Sequence, residues 1–132
     1  MRSRALLWVC GLCLSTALLA LAQEGHPLTG TWAGDRGVTA TERSHLTIVM
    51  DWDGNNLTGT INPGPDAVPI KSIYLDAATW TVRIQADSKD AAGNPVHITA
   101  EGRIQDLGSP HRKIVGTWRT NAKQGDFTIV RD

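Results

Sequence analysis

Beyond Cys13 the 132-residue chain contains no cysteine. A domain built from the rest therefore has no thiol nucleophile, no disulfide and no cysteine-based metal site. Aromatic residues make up only 5% of the chain, and five of the seven are tryptophan. Neither sign of charge dominates, with 13 Lys and Arg facing 13 Asp and Glu. Removal of Arg2 and Arg4 with a leader leaves eleven against thirteen, a net charge of −2. That balance offers no electrostatic footprint for nucleic acid and no polybasic cluster for anionic lipid. Long apolar runs are confined to the start. Ala5 to Leu19, preceded by Arg2 and Arg4 and followed by Ala20-Leu21-Ala22, has the three regions of a secretory signal peptide, with cleavage expected after Ala22. Its roughly 15 residues fall short of the ~20 that span a bilayer as a helix, and no later segment is apolar enough to span. Neither Cys10 nor Cys13 stands at the cleavage point, which argues against a lipid anchor. The expectation is a leader over 1–22 and one exported domain over 23–132, secreted or periplasmic. With no disulfide, the domain is held by its hydrophobic core alone.

From Thr29 onward no amphipathic helix is evident, and short alternating segments bounded by turn residues follow one another. They predict about eight strands: Leu28 to Ala33, Ser44 to Trp52, Asn56 to Asn62, Val68 to Leu75, Thr79 to Asp87, Pro95 to Gln105, Lys113 to Thr120 and Asp126 to Arg131. Turn signals such as Asp53-Gly54-Asn55, Pro63-Gly64-Pro65-Asp66 and Gly93-Asn94-Pro95 leave room for hairpins but not for the crossover helix of a parallel pair. The longest irregular stretch, Gly34 to Arg43, is expected as a mobile loop or lid. Alternation puts Leu46, Ile48, Met50, Trp52, Leu57, Gly59, Ile61, Trp80, Val82, Ile84, Ala86, Ile98, Ala100, Gly102, Ile104, Ile114, Gly116 and Trp118 on one face. Thr58, Thr60, Arg83, Gln85, His97, Glu101, Arg103 and Arg119 fall on the other, which is expected to be wet. One apolar and one polar face on an eight-stranded meander predicts an all-β, antiparallel up-and-down barrel whose first and last strands pair.

A short motif recurs along these strands. Gly30-Thr31-Trp32 returns as Gly59-Thr60-Ile61 and Gly116-Thr117-Trp118, each with an apolar residue two positions before the glycine. Inward glycines relieve curvature in small barrels and leave space for large neighbours, so Gly30, Gly59 and Gly116 are expected to be structural, with Trp32 and Trp118 in the space they open. The Gly-x-Trp on the first strand and the basic Arg131 on the last resemble the calycin group of small barrels, which includes lipocalins, fatty-acid-binding proteins and avidins. That resemblance implies a calycin-like barrel with Arg131 lying across Trp32. The order of Leu28-Thr29-Gly30-Thr31-Trp32, Leu57-Thr58-Gly59-Thr60, Trp80-Thr81-Val82 and the strand ending in Trp118 is most similar to the avidin and streptavidin family. Biotin binding does not follow. Ala33-Gly34-Asp35 stand where that family has polar residues, Ile61 replaces a tyrosine and Ile84 a tryptophan; only Trp118 and Asp126 fall near matching positions.

Trp32, Trp52, Trp80 and Trp118 are the candidate ligand-binding residues, lining an apolar cavity beside the glycines; the competing reading is that they fill the barrel solidly. No metal-ligand set is evident: Asp51, Asp53 and Asn55 lack the distal acid of a calcium loop, and His26, His45, His97 and His111 lack metal spacing. His97 and Glu101 share a strand face, but on the wet side, where no pocket would shift a pKa. The sequence thus predicts a non-enzymatic exported barrel without cofactor that takes a small lipophilic ligand. The alternative is a solid-core interaction protein, such as an exported protease inhibitor or an envelope accessory domain. An enzyme would need a polar group on the inner face, and the alternation supplies none.

Overall fold

Period-2 alternation of apolar and polar residues commits each segment to one buried and one wet face, and hairpin turns join each segment to the next. In a computed structural model, which describes residues 26–132, these segments close on themselves. The expected leader, residues 1–22, lies outside the described residues. Eight strands follow in chain order: β1 (Gly30–Gly37), β2 (Arg43–Trp52), β3 (Leu57–Ile61), β4 (Val68–Asp76), β5 (Thr81–Lys89), β6 (Pro95–Gln105), β7 (Lys113–Arg119) and β8 (Gln124–Arg131). Every neighbouring pair is antiparallel, and β1 pairs with β8 from Trp32↔Arg131 to Gly37↔Asp126, so the sheet has no free edge. This is the eight-stranded antiparallel closed barrel implied by the calycin resemblance.

Two boundaries differ from expectation in ways that matter. β1 does not stop at Ala33 but runs to Gly37, paired throughout with both β2 and β8. The irregular connection is therefore only residues 38–42, too short for a lid over the barrel. Trp80 precedes β5 in the turn after β4, where it holds a left-handed φ of 55° while its carbonyl accepts the Ile104 N–H at 2.9 Å. Within β4, a register shift between Ile70 and Ser72 moves the inward positions from Val68 and Ile70 to Ile73 and Leu75.

The core occupies one end and the middle of the barrel. Leu28, Trp32, Met50, Ile114, Ile129 and Val82 have essentially no exposed surface, and Leu46, Ile48, Ile61, Ile84, Ala86, Ile104 and Phe127 complete the cluster. Burial of each large side chain stabilises by roughly 1.5–3 kcal/mol. The chain before β1 closes this end as a floor. Thr29 N–H turns back onto the His26 carbonyl at 3.0 Å. Leu28 plugs the axis, and its carbonyl accepts the Trp32 Nε1–H at 2.8 Å, so the one polar atom of the buried indole is satisfied. Arg112 ties the floor together, its Nη1 donating to the Pro27 carbonyl at 2.9 Å and its Nε to the Leu107 carbonyl at 3.3 Å.

The glycines show how tightly the interior is filled. A Cβ added at Gly59 would lie 3.0 Å from Ile70 Cδ1 and 3.2 Å from Ile73 Cδ1; at Gly102 it would lie 2.9 Å from Ile114 Cγ2 and 3.2 Å from Phe127 Cζ. The space these glycines open is already taken by isoleucine and phenylalanine side chains. Gly116 serves a different purpose. It faces Gly102 across β6 and β7, and a Cβ there would strike the Gly102 Cα and the Glu101 carbonyl, so the pair lets two backbones approach closely. Gly30 holds a φ of 133°, a conformation that L side chains rarely adopt, with the Arg131 side chain resting on it.

Candidate functional site

The barrel's two ends are unlike. At the floor the β2–β3, β4–β5 and β6–β7 connections gather around Leu28. At the other end the strands rise past the core into an open mouth bounded by the β1–β2, β5–β6 and β7–β8 loops. This mouth encloses about 660 Å³, within the range of small-molecule sites. Its walls are Arg36 and Ser44 from β1 and β2, Ser88 from β5, Val96 and Ile98 from β6, and Trp118 from β7.

The four candidate tryptophans are separated by this asymmetry. Trp32 is completely buried above the floor. Trp80, in its turn, packs partly buried against the core. Trp52, expected to face inward, is 37% exposed, because β2 ends there, past the last layer of core side chains; its ring meets the His26 ring at 5.0 Å between centroids. Trp118 alone of the four lines the mouth. Its indole is fixed by Nε1–H donation to the Asp126 carbonyl at 3.0 Å, and its inner-face neighbours across the strands are the small residues Ala100 and Gly125. A Cβ at Gly125 would lie 3.0 Å from Trp118 Cζ2. The same Cβ would strike the Gly37 carbonyl, so Gly125 lets β8 approach β1 closely as well as leaving the ring its place, whereas Gly116 does not touch the ring.

Arg131 stands opposite Trp32 in register, as the calycin resemblance implies, and its Nε lies against Gly30. The cation–π contact among the described residues is at the mouth instead. The Arg36 guanidinium carbon sits over the Trp118 ring, 5.5 Å from its centroid. Arg36 was hidden from sequence reading because Gly34, Asp35 and Gly37 around it look like turn residues. The alternation Trp32, Gly34, Arg36, continued past Ala33, is the signal that places it inside. Ser44 and Ser88 join it, so the inner face does carry polar groups, all at the mouth.

The rim is held by charge. Arg43 donates from Nη2 to Asp35 at 2.7 Å and from Nη1 to Asp126 at 2.5 Å, tying the start of β2 to β1 and β8. The hydrogen bonds it donates to Asp35 and then to Asp126 raise the Arg43 pKa above its ordinary value. Asp90 organises the β5–β6 turn, accepting the Asn94 N–H at 2.8 Å and the Ala92 N–H at 3.0 Å; the bond from Asn94 is the main reason its carboxyl lies below the usual range. On the outer wall His97 pairs with Asp87 at 2.7 Å, and Glu101 with Arg83 at 3.2 Å, so His97 and Glu101 do not act together.

The chain matches no family model, no curated protein and no solved structure.

Proposed function

We propose that the protein is an exported, non-enzymatic binding module that takes one small ligand in the open mouth of its barrel. The observation that carries this reading is the division of the interior. Side chains fill the space at the levels of Gly59 and Gly102, whereas about 660 Å³ lie open above them against Trp118, Val96 and Ile98. A filled lower barrel argues against a long acyl chain threaded along the axis and favours a compact ligand held at the rim. Export is supported by the leader-like pattern of residues 2–22. In the order of Gly-Thr motifs that resembles the avidin family, Ile61 and Ile84 stand in place of that family's aromatic contacts, and biotin is not the ligand proposed.

Tryptophan emission titrated with compact aromatic and short-chain amphiphiles, beside fatty acids, retinoids and tetrapyrroles, tests the reading. A compact ligand should quench emission in the native chain and lose that effect in Trp118→Phe. A flat response across the panel overturns it. A second reading, the interaction protein, is favoured by a depression of about 1010 Å³ on the outer wall over Gly102 and Gly116, lined by Thr99, Glu101, Arg103, Thr117 and Arg119. Thr117→Trp would fill that depression. Loss of a captured partner in that variant alone supports this second reading, and capture unchanged by it counts against it.

A further inference from the structure

Arg36 is the one feature of the mouth that the packing does not require. Its cross-strand neighbours on the inner face are Ser44 and Phe127, neither of which is a carboxylate. Among the described residues it forms no ion pair, and none of its guanidinium N–H groups is hydrogen-bonded to protein. A guanidinium carries five donors in a rigid fork, and placing it half-buried over an indole without an acceptor costs hydration. The nearby acids do not compensate. Asp35 and Asp126 are both engaged by Arg43, and Asp90 is bonded into its own turn. Glu42 is the remaining acid of the rim, near Lys89 and Lys123, neither of which forms an ion pair among the described residues. The mouth therefore presents a cationic fork beside an apolar wall.

We infer that the mouth is a site for a small organic carboxylate. Its flat or compact apolar body lies against Trp118, Val96 and Ile98, and its two oxygens take parallel N–H bonds from Arg36. The fork geometry matches a carboxylate better than a point cation would. The contact to Trp118 fixes the guanidinium over the ring, so less conformational freedom is lost when the anion binds. The inference rests on the mouth being the ligand site and adds the charge and shape of what enters it.

Calorimetric titration of the purified protein with 2-naphthoate and with its neutral isostere 2-naphthamide separates the two claims. A charge-assisted bidentate contact should favour naphthoate by about 10- to 100-fold in Kd. Arg36→Gln should remove that preference, and Lys89→Gln should leave it in place. Thermal midpoints of both variants establish that they fold. Equal affinity for the two probes in the native chain overturns the carboxylate inference and leaves the mouth as a neutral-ligand site. Preference that survives in Arg36→Gln overturns the role of Arg36. Failure of both probes to bind overturns the inference together with the reading on which it rests.

Discussion

Gly116→Ala tests the closeness of β6 and β7. The two strands face each other through Gly102 and Gly116, and the new methyl would lie 2.5 Å from the Gly102 Cα and closer still to the Glu101 carbonyl oxygen. Both obstacles are backbone, which has no alternative rotamer to adopt, so the ladder itself must part. Overpacking ordinarily costs about 1–3 kcal/mol, and an obstacle without a side-chain escape belongs at the upper end or above it. At about 3 kcal/mol, a domain slightly above 100 residues loses roughly 12 °C of melting temperature. Gly102→Ala meets the Val115 carbonyl at 2.9 Å, but also the tips of Ile114 and Phe127, which can turn aside. It should cost about 1–2 kcal/mol. At Gly108 an added methyl meets nothing within 4 Å, and Gly108→Ala should be neutral or stabilise by about 0.4–1 kcal/mol through the unfolded chain. Urea unfolding followed by far-ultraviolet circular dichroism and by tryptophan emission measures all three. A Gly116→Ala protein within about 0.5 kcal/mol of the native chain, the scatter of ordinary surface changes, refutes the reasoning. So does a ranking in which Gly102→Ala is the worst of the three.

Two further substitutions or titrations address the floor. His26 accepts the Leu28 N–H at Nδ1, 3.2 Å away, and its partial burial lowers its pKa from the ordinary 6.5. The unfolded chain thus takes up the proton first, so the stability contributed by neutral His26 is complete above pH 6.5 and declines as pH falls from there toward the lower folded value. An NMR titration of the ring should place the His26 midpoint below 6.5, and a midpoint at or above that value counts against the floor geometry. The Thr29 hydroxyl oxygen is buried and, among the described residues, has no hydrogen-bond partner. Thr29→Val removes it with little change of shape and should raise stability by about 1 kcal/mol in the same urea assay, whereas a loss of that size would show that the hydroxyl is satisfied in solution.

The architecture was legible wherever alternation ran unbroken. β6 was read to its residue, Pro95 to Gln105, because Ile98, Ala100, Gly102 and Ile104 alternate with polar neighbours and a Gly-Asn-Pro turn precedes them. β4 resisted assignment of its faces for a physical reason: the bulge between Ile70 and Ser72 inserts a residue and reverses the parity of everything after it. The site was less legible than the fold. Strand ends are where alternation loses its meaning, since the last inward position can lie below the core, as at Trp52, or above it, as at Trp118. Composition does not tell these apart. The same ambiguity hid Arg36. A charged residue between two glycines reads as a loop until pairing with both neighbouring strands shows it to be inside.

The difference between the ends follows from how each is closed. A barrel of eight strands has an interior that side chains can just fill, so leaving part of it open requires small residues where large ones would fit. At the floor, large buried side chains fill the axis: Leu28, Trp32, Met50, Ile114 and Ile129. At the mouth the inward positions include Ser44, Ser88, Ala100 and Gly125, beside the larger Arg36, Val96, Ile98 and Trp118. Filling the mouth with leucine or phenylalanine would add buried apolar area and, at roughly 25 cal/mol per Å², stability. The chain instead carries small and polar residues there and leaves a guanidinium without a protein acceptor. Under the proposed function that cost is offset on binding, when a carboxylate supplies the missing acceptor and its apolar body covers Trp118, Val96 and Ile98.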